Sequence, residues 1–233
     1  MFRISSIILF AFFSSLLFGQ DTVNIKDSKG QRQGYWKKLD TAGKMIYEGR
    51  FRDGIPSGEF HYYYSNGKTK TISRFSKDGK LARTVSYFPN GKKMAAGNYL
   101  DEKKDSVWQF FSESNGTIVS MDTYQGGLIN GESKVFYPEG GLSELHVYKI
   151  GVKDGLWEQY YMDGKLKLRG AYRAGEKEGQ FKAVYASGMP MISGQYLLGH
   201  QDGTWTYFDE KGAITKKEVY DRGMLVSVNP PPK

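Results

Sequence analysis

Gly155-Leu156-Trp157-Glu158-Gln159-Tyr160-Tyr161-Met162-Asp163-Gly164-Lys165 is the stretch that decides the fold. Its aromatic-rich start suits a pleated strand. Asp163-Gly164 then suits a hairpin turn, where the backbone must enter positive φ. The return run Lys165–Tyr172 puts Leu166, Leu168, Gly170 and Tyr172 on one face, because side chains alternate along a strand. Together these features predict a β-hairpin.

The same hairpin recurs outward in both directions. Counting from Gly34 as position 0, units start at Gly34, Gly58, Ala82, Ser106, Gly131, Gly155, Gly179 and Gly203, each 24 residues after the last except for one step of 25. The extra residue lies in Ser112–Gly116. Position 9 is glycine in every unit, and position 17 is aromatic in every unit: Phe51, Phe75, Tyr99, Tyr124, Tyr148, Tyr172, Tyr196 and Tyr220. Position 2 is Trp or Phe except at Thr84 and Ser133. Position 15 is glycine at Gly49, Gly97, Gly170 and Gly194, where a neighbouring ring can lie over the backbone. The links, such as Arg173–Glu178, are too short for a crossover helix, so successive strands should be antiparallel. The expected fold is all-β: an elongated, twisted, open single-layer meander of sixteen strands. Eight repeats occupy residues 34–225, with a polar lead-in at 20–33 and a frayed tail at 226–233.

The pattern G-x-W-x-x-Y-Y-x-x-G-K-x-x-x-x-G-x-Y-x-x-G-x-x-x-G resembles the MORN repeat, in the variant form of bacterial proteins labelled YwqK-family antitoxins. Residues Gly155–Lys165, continuing through Gly170-Ala171-Tyr172 to Gly175 and Gly179, carry it most clearly. The resemblance implies a sheet that serves as a contact surface, and it implies two roles: a binding scaffold, or a toxin-neutralising protein. The third unit departs most, with Ala82 and Thr84 in place of Gly and Trp and Glu102 in place of the link glycine; the fifth has Ser133 in place of Trp. These two hairpins are expected to pack more loosely or to carry something particular.

Met1–Gly19 has Arg3 followed by an apolar run from Ile7 to Phe18, the pattern of a secretory signal peptide. The expected location is therefore outside the cytoplasm: periplasm, outer cell surface or secreted, with no integral span after cleavage. There is no cysteine among the 233 residues, which excludes disulfides and a lipid-anchored cysteine. The formal charge of +8 is spread thinly, with no block of five basic residues, so nucleic acid is not an expected partner.

No catalytic, cofactor-binding or metal-ligating residues are identified, and no cofactor is expected. His61, His146 and His200 fall at different repeat positions and should not meet at one metal. Gly67-Lys68-Thr69 imitates the end of a phosphate-binding loop, but Tyr62 stands where its first glycine must be. Position 23 is often acidic or amidic, as at Asn130, Asp154, Glu178 and Asp202, which reads as turn chemistry. The uniform aromatics at positions 2 and 17 read as core. Tyr62, Tyr64 and Tyr161 vary from unit to unit and are the candidate ligand-contact residues. Tyr161 stands four residues after Trp157, on the same face of a regular strand, in a slot held elsewhere by Asp40, Ser112 or Asp209. The function expected is that of an exported, non-enzymatic binding or scaffold protein. Its partner would be a protein or a cell-envelope component such as a polysaccharide or lipid headgroup.

Overall fold

The computed structural model describes residues 22–230, so the signal-like segment Met1–Gly19 and its cleavage point lie outside the described residues. Nineteen strands, from Ile25–Lys26 to Met224–Asn229, form one antiparallel sheet, and no helix occurs among the described residues. Pairing follows chain order from the first strand to the last, and the two end strands do not pair with each other. The sheet is therefore open. Strands pack extensively only on their neighbours along the chain, with no second layer above them.

The decisive stretch forms the hairpin Val152–Tyr160 with Leu166–Arg173, pairing Gly155 with Tyr172 and Trp157 with Gly170. Its turn closes when Gly164 N–H donates to Tyr161 O at 2.9 Å and Tyr161 N–H to Lys165 O at 2.8 Å. Only Gly164 has positive φ, at 82°; Asp163 instead accepts the Lys165 N–H on its carboxylate at 3.0 Å. This is a three-residue loop closed by a left-handed glycine rather than a two-residue turn. Each of the eight hairpins also shifts register by one residue just before this turn, as between Gln159 and Tyr160.

The links are themselves hairpins. Asp53-Gly54, Ile150-Gly151 and Leu198-Gly199 are two-residue turns with both φ values positive (52° and 78°, 48° and 79°, 48° and 83°). Such turns match the right-handed twist of the flanking strands. Position 0 also takes positive φ, at 72° in Gly58 and 60° in Ser106, and the register slips there. The acidic position 23 caps the next unit's turn: Glu178 accepts the Leu198 N–H at 3.0 Å and Asp202 the Arg222 N–H at 3.3 Å.

Three strands exceed the expected sixteen. In the lead-in, Ile25–Lys26 pairs with Arg32–Gln33 around a turn capped by Asp27, so residues 20–33 are partly sheet. In the tail, Met224–Asn229 pairs with Lys217–Asp221, so the expected fraying at 226–229 gives way to a ladder. The free edge of the last hairpin supplies its partner, and Val226 and Val228 suit a pleat. The third is Glu176–Lys177, separated from Gly179–Val184 by the Glu178 cap.

One face of the sheet holds the aromatic column. Phe60, Trp108 and Trp205 are each 2% exposed. Each lies over the position-15 glycine of the preceding unit. A Cβ on Gly49 would meet the Phe60 ring at 2.5 Å, and one on Gly97 or Gly194 would meet Trp108 or Trp205 at 2.4 Å, so glycine is required. Position 17 seals the contact edge-on, with ring centroids at 4.9 Å for Tyr99–Trp108 and 5.0 Å for Tyr196–Trp205. The indoles of Trp108 and Trp205 donate to Asn98 O and Gln195 O at 2.9 and 3.2 Å.

Candidate binding groove

Three joints between units lack this aromatic-on-glycine packing; at the fifth, His146 takes the glycine position and stacks on Trp157, so only the second and fourth lack the aromatic as well. At the fourth joint, Ser133 replaces the aromatic and donates to Asp122 at 2.7 Å. That gap is filled: His146, paired with Ser133 across the strands, is 8% exposed and stacks on Trp157 with ring centroids 6.1 Å apart. The expected looseness of the fifth unit is not found.

At the second joint the gap stays open. Ser73 and Thr84 take the glycine and aromatic positions, and their buried hydroxyls bond at 2.9 Å. Ala82 holds position 0 without positive φ, in keeping with the penalty an L side chain meets there. The register slip is consequently missing, and Thr69–Phe75 pairs regularly with Leu81–Tyr87. The two-residue turn is missing too. Asp78 occupies the usual glycine slot, and a wider loop runs from Ser76 to Leu81, closed by Ser76 N–H to Leu81 O at 2.8 Å. The third unit is thus rebuilt rather than loose, with Ala82 and Thr84 each 5% exposed.

Above this joint lies a groove of about 780 Å³. Its floor is two hydroxyl pairs, Ser73–Thr84 and Thr71–Ser86, the latter at 3.1 Å. Tyr47, Phe60, Tyr62, Phe75 and Tyr99 wall it, and Arg32, Lys38, Lys70, Lys80 and one acid, Glu102, also line it. Thr84 marked this region in the sequence; the floor hydroxyls and the cations gave no signal, because their meeting depends on pairing between units.

The unit itself is recognisable beyond this chain. Residues 153–173 match the MORN repeat variant. They cover the Trp157–Gly170 hairpin described above, whose pairing pattern recurs in the other units. No curated protein matches the chain. Among solved structures, it is similar to a mutant of S. aureus TarM in complex with fondaparinux, alpha-GlcNAc-glycerol and UDP (15% identity, TM-score 0.30, 39% of this chain and 18% of that one). A second TarM structure gives 16% identity, TM-score 0.30 and coverage of 41% and 20%; a TcdB2-TccC3-TEV structure gives 13%, 0.21, 83% and 13%. This chain spans at most a fifth of each of those proteins. Similarity at this level assigns no activity.

The three candidate tyrosines fall in different places. Tyr62 lines the groove, with its ring 5.9 Å from Tyr47, and burial followed by the Tyr47 neighbour holds its phenol above the usual range. Tyr64 and Tyr161 occupy the first position of their turns. Their hydroxyls donate to the next unit, to Tyr87 O at 2.7 Å and Val184 O at 2.8 Å, and Tyr137 and Tyr185 do the same at 2.6 and 2.8 Å. Where this slot holds Asp40 or Asp209, the carboxylate caps its own turn instead. Tyr161 lies just beyond the end of its strand, at the turn, where its hydroxyl is tied to the next unit.

The histidines are dispersed. His61 pairs with Glu59 at 2.7 Å, His146 sits in the aromatic column, and His200 lies against Gly223 in a link turn. No cluster of three or more metal-ligating side chains occurs among the described residues. The face opposite the column is tied by carboxylates: Glu48 accepts the hydroxyls of Tyr35 and Tyr63, and Glu158, 4% exposed, accepts the Tyr160 hydroxyl and Arg169 Nε at 2.6 Å. The Tyr35 hydroxyl, then that of Tyr63, holds Glu48 below the usual carboxylate range.

Proposed function

We propose that this chain is an exported, non-enzymatic repeat scaffold that holds a cell-envelope component or a protein in the groove over its second and third units. The observation that carries the reading is the concerted rebuilding of one joint. Ser73, Ala82 and Thr84 together remove the ring that closes the equivalent space at Gly97–Trp108 and Gly194–Trp205. A structural repeat gains nothing from such an opening, and a mostly preformed concave site with aromatic walls and a few polar groups is the usual form of a binding site. Uniform MORN-type units on either side supply rigid support.

The test is capture from an envelope fraction with the mature chain, comparing wild type with Ser73→Gly/Thr84→Trp, which restores the packing of the other joints. Capture abolished by this folded variant supports the groove; equal capture by both overturns it. A secreted toxin as the captured species would favour the toxin-neutralising role suggested by the YwqK resemblance. Export is tested separately. The mature N-terminus should be Gln20 or Asp21 in an envelope or culture fraction, and an intact Met1 form confined to cytosol would overturn export.

A further inference from the structure

We infer that the groove takes an acidic saccharide chain, an inference that rests on the groove being the contact site. Its position separates ligand classes first. It lies on the face of the sheet, where the backbone groups of Thr69–Phe75 and Leu81–Tyr87 are already paired with each other. A peptide that binds by strand addition needs a free sheet edge, and the groove offers none. Of the aromatic walls Phe60 is buried and the rest are half-buried around a recessed hydroxyl floor, which does not suit insertion into a lipid surface.

The lining chemistry points the same way. Tyr47, Tyr62 and Phe75 provide ring surface against which the C–H faces of sugars pack. The half-buried Thr71 and Ser86 hydroxyls each donate and accept, so beyond their mutual bond they can serve a ligand rich in hydroxyls. A wholly apolar ligand would strip water from them without return.

Charge selects among saccharides. Arg32, Lys38, Lys70 and Lys80 face Glu102 alone, four cations less one anion, for a net lining charge of +3. Among the described residues none of these cations is within salt-bridge distance of a carboxylate. The Arg32 guanidinium is held 4.9 Å from the Phe51 ring, keeping its charge at the rim without an internal partner. Walls contributed from Met45–Arg52 to Lys93–Leu100 span four strand spacings, roughly 20 Å, which suits a short chain rather than a single sugar.

The experiment is calorimetric titration of the full mature chain with a defined oligogalacturonate, its methyl ester, polyaspartate and anionic phospholipid vesicles. Oligogalacturonate should bind, and the neutral ester should bind about tenfold or more weakly, as loss of charge-assisted bonds predicts. Lys70→Gln/Lys80→Gln should lose a similar factor, and Ser73→Gly/Thr84→Trp should lose binding, while Lys182→Gln on the opposite face should bind as wild type. Circular dichroism melts establish that each variant is folded; should the double variant not fold, Tyr62→Ala replaces it, with the same expected loss. Polyaspartate or vesicles binding as tightly as oligogalacturonate would overturn the inference in favour of a general polyanion or lipid surface. Envelope capture that depends on the groove without any oligogalacturonate binding would overturn this inference and leave the scaffold reading standing. Capture indifferent to the groove variants would overturn both.

Discussion

The joint between the seventh and eighth units and the joint between the second and third use the same repeat positions for opposite ends. At the former, Trp205 covers Gly194, Tyr196 closes on it edge-on, and the link is a two-residue turn. At the latter, two small hydroxyl side chains bond beneath an open groove and the link is a wider loop. The contrast teaches that this array varies by the joint rather than by the residue. Thr84 without Ser73 would leave a buried hydroxyl unpaired. Ala82 with the register slip of the other joints would put a Cβ into positive φ, as Ser106 does at 60°. The changes fit one another as a set.

The largest expected break falls on the closed joint. Trp205→Ala should cost about 3–5 kcal/mol, the range for deleting a large buried aromatic. In an array whose units contact only neighbours, hydrogen exchange should rise chiefly in residues 190–221 and leave the open joint protected. Uniform loss of protection along the whole chain would contradict the joint-by-joint picture. Gly194→Ala comes next: its new Cβ would sit 2.4 Å from Trp205, and overpacking of this kind costs about 1–3 kcal/mol. The equivalent position at the open joint already carries Ser73, so Ser73→Ala should show no overpacking at all.

A double-mutant cycle sharpens the open side. Thr84→Val should cost about 1–2 kcal/mol by leaving the Ser73 hydroxyl buried without its partner, whereas Ser73→Ala/Thr84→Val should be close to neutral. Additive losses in chemical denaturation would show that the pair is not a unit. Tyr161→Phe should cost only about 0.5–1.5 kcal/mol, the worth of one hydrogen bond, and should raise exchange at Tyr185 and Met189, in the turn just beyond Val184. The smallest effect is pH-dependent. Glu48 is held below its ordinary value, so its contribution is present above about pH 4.5 and is lost as pH falls through the depressed value. Melts of Tyr35→Phe/Tyr63→Phe should therefore differ from wild type at neutral pH and converge with it on acidification, while the cost of Thr84→Val stays constant because neither hydroxyl titrates there.

The repeat phase, the buried column and the ring over glycine were legible because each recurs at a fixed position and expresses one local rule. The two-residue link turns were less legible. Ile150, Ala174 and Leu198 sit in them at φ near 50°, and nothing about those side chains announces a left-handed backbone. The tie made by Tyr161 was not legible for a related reason: its partner Val184 O belongs to the next unit. The groove was half visible. Thr84 and Ala82 stood out as departures, but Ser73, Lys70 and Lys80 acquire meaning only once the strands are laid side by side.

That strands pack extensively only on their neighbours along the chain bears on how the molecule is made. Synthesis at roughly 5–20 residues per second delivers one 24-residue unit in about 1–5 s, whereas a hairpin closes in about 1–10 μs. Every contact a unit needs on its N-terminal side already exists when it emerges, so folding can keep pace with elongation and no long segment waits for a distant partner. The chain carries its own growing edge as a template, and among the described residues Met224–Asn229 pairs on one side alone. Its charge-free run, with Met224 and Val226 70% and 65% exposed, is an adhesive edge, so the same templating that builds each unit leaves a strand ready to pair with another chain.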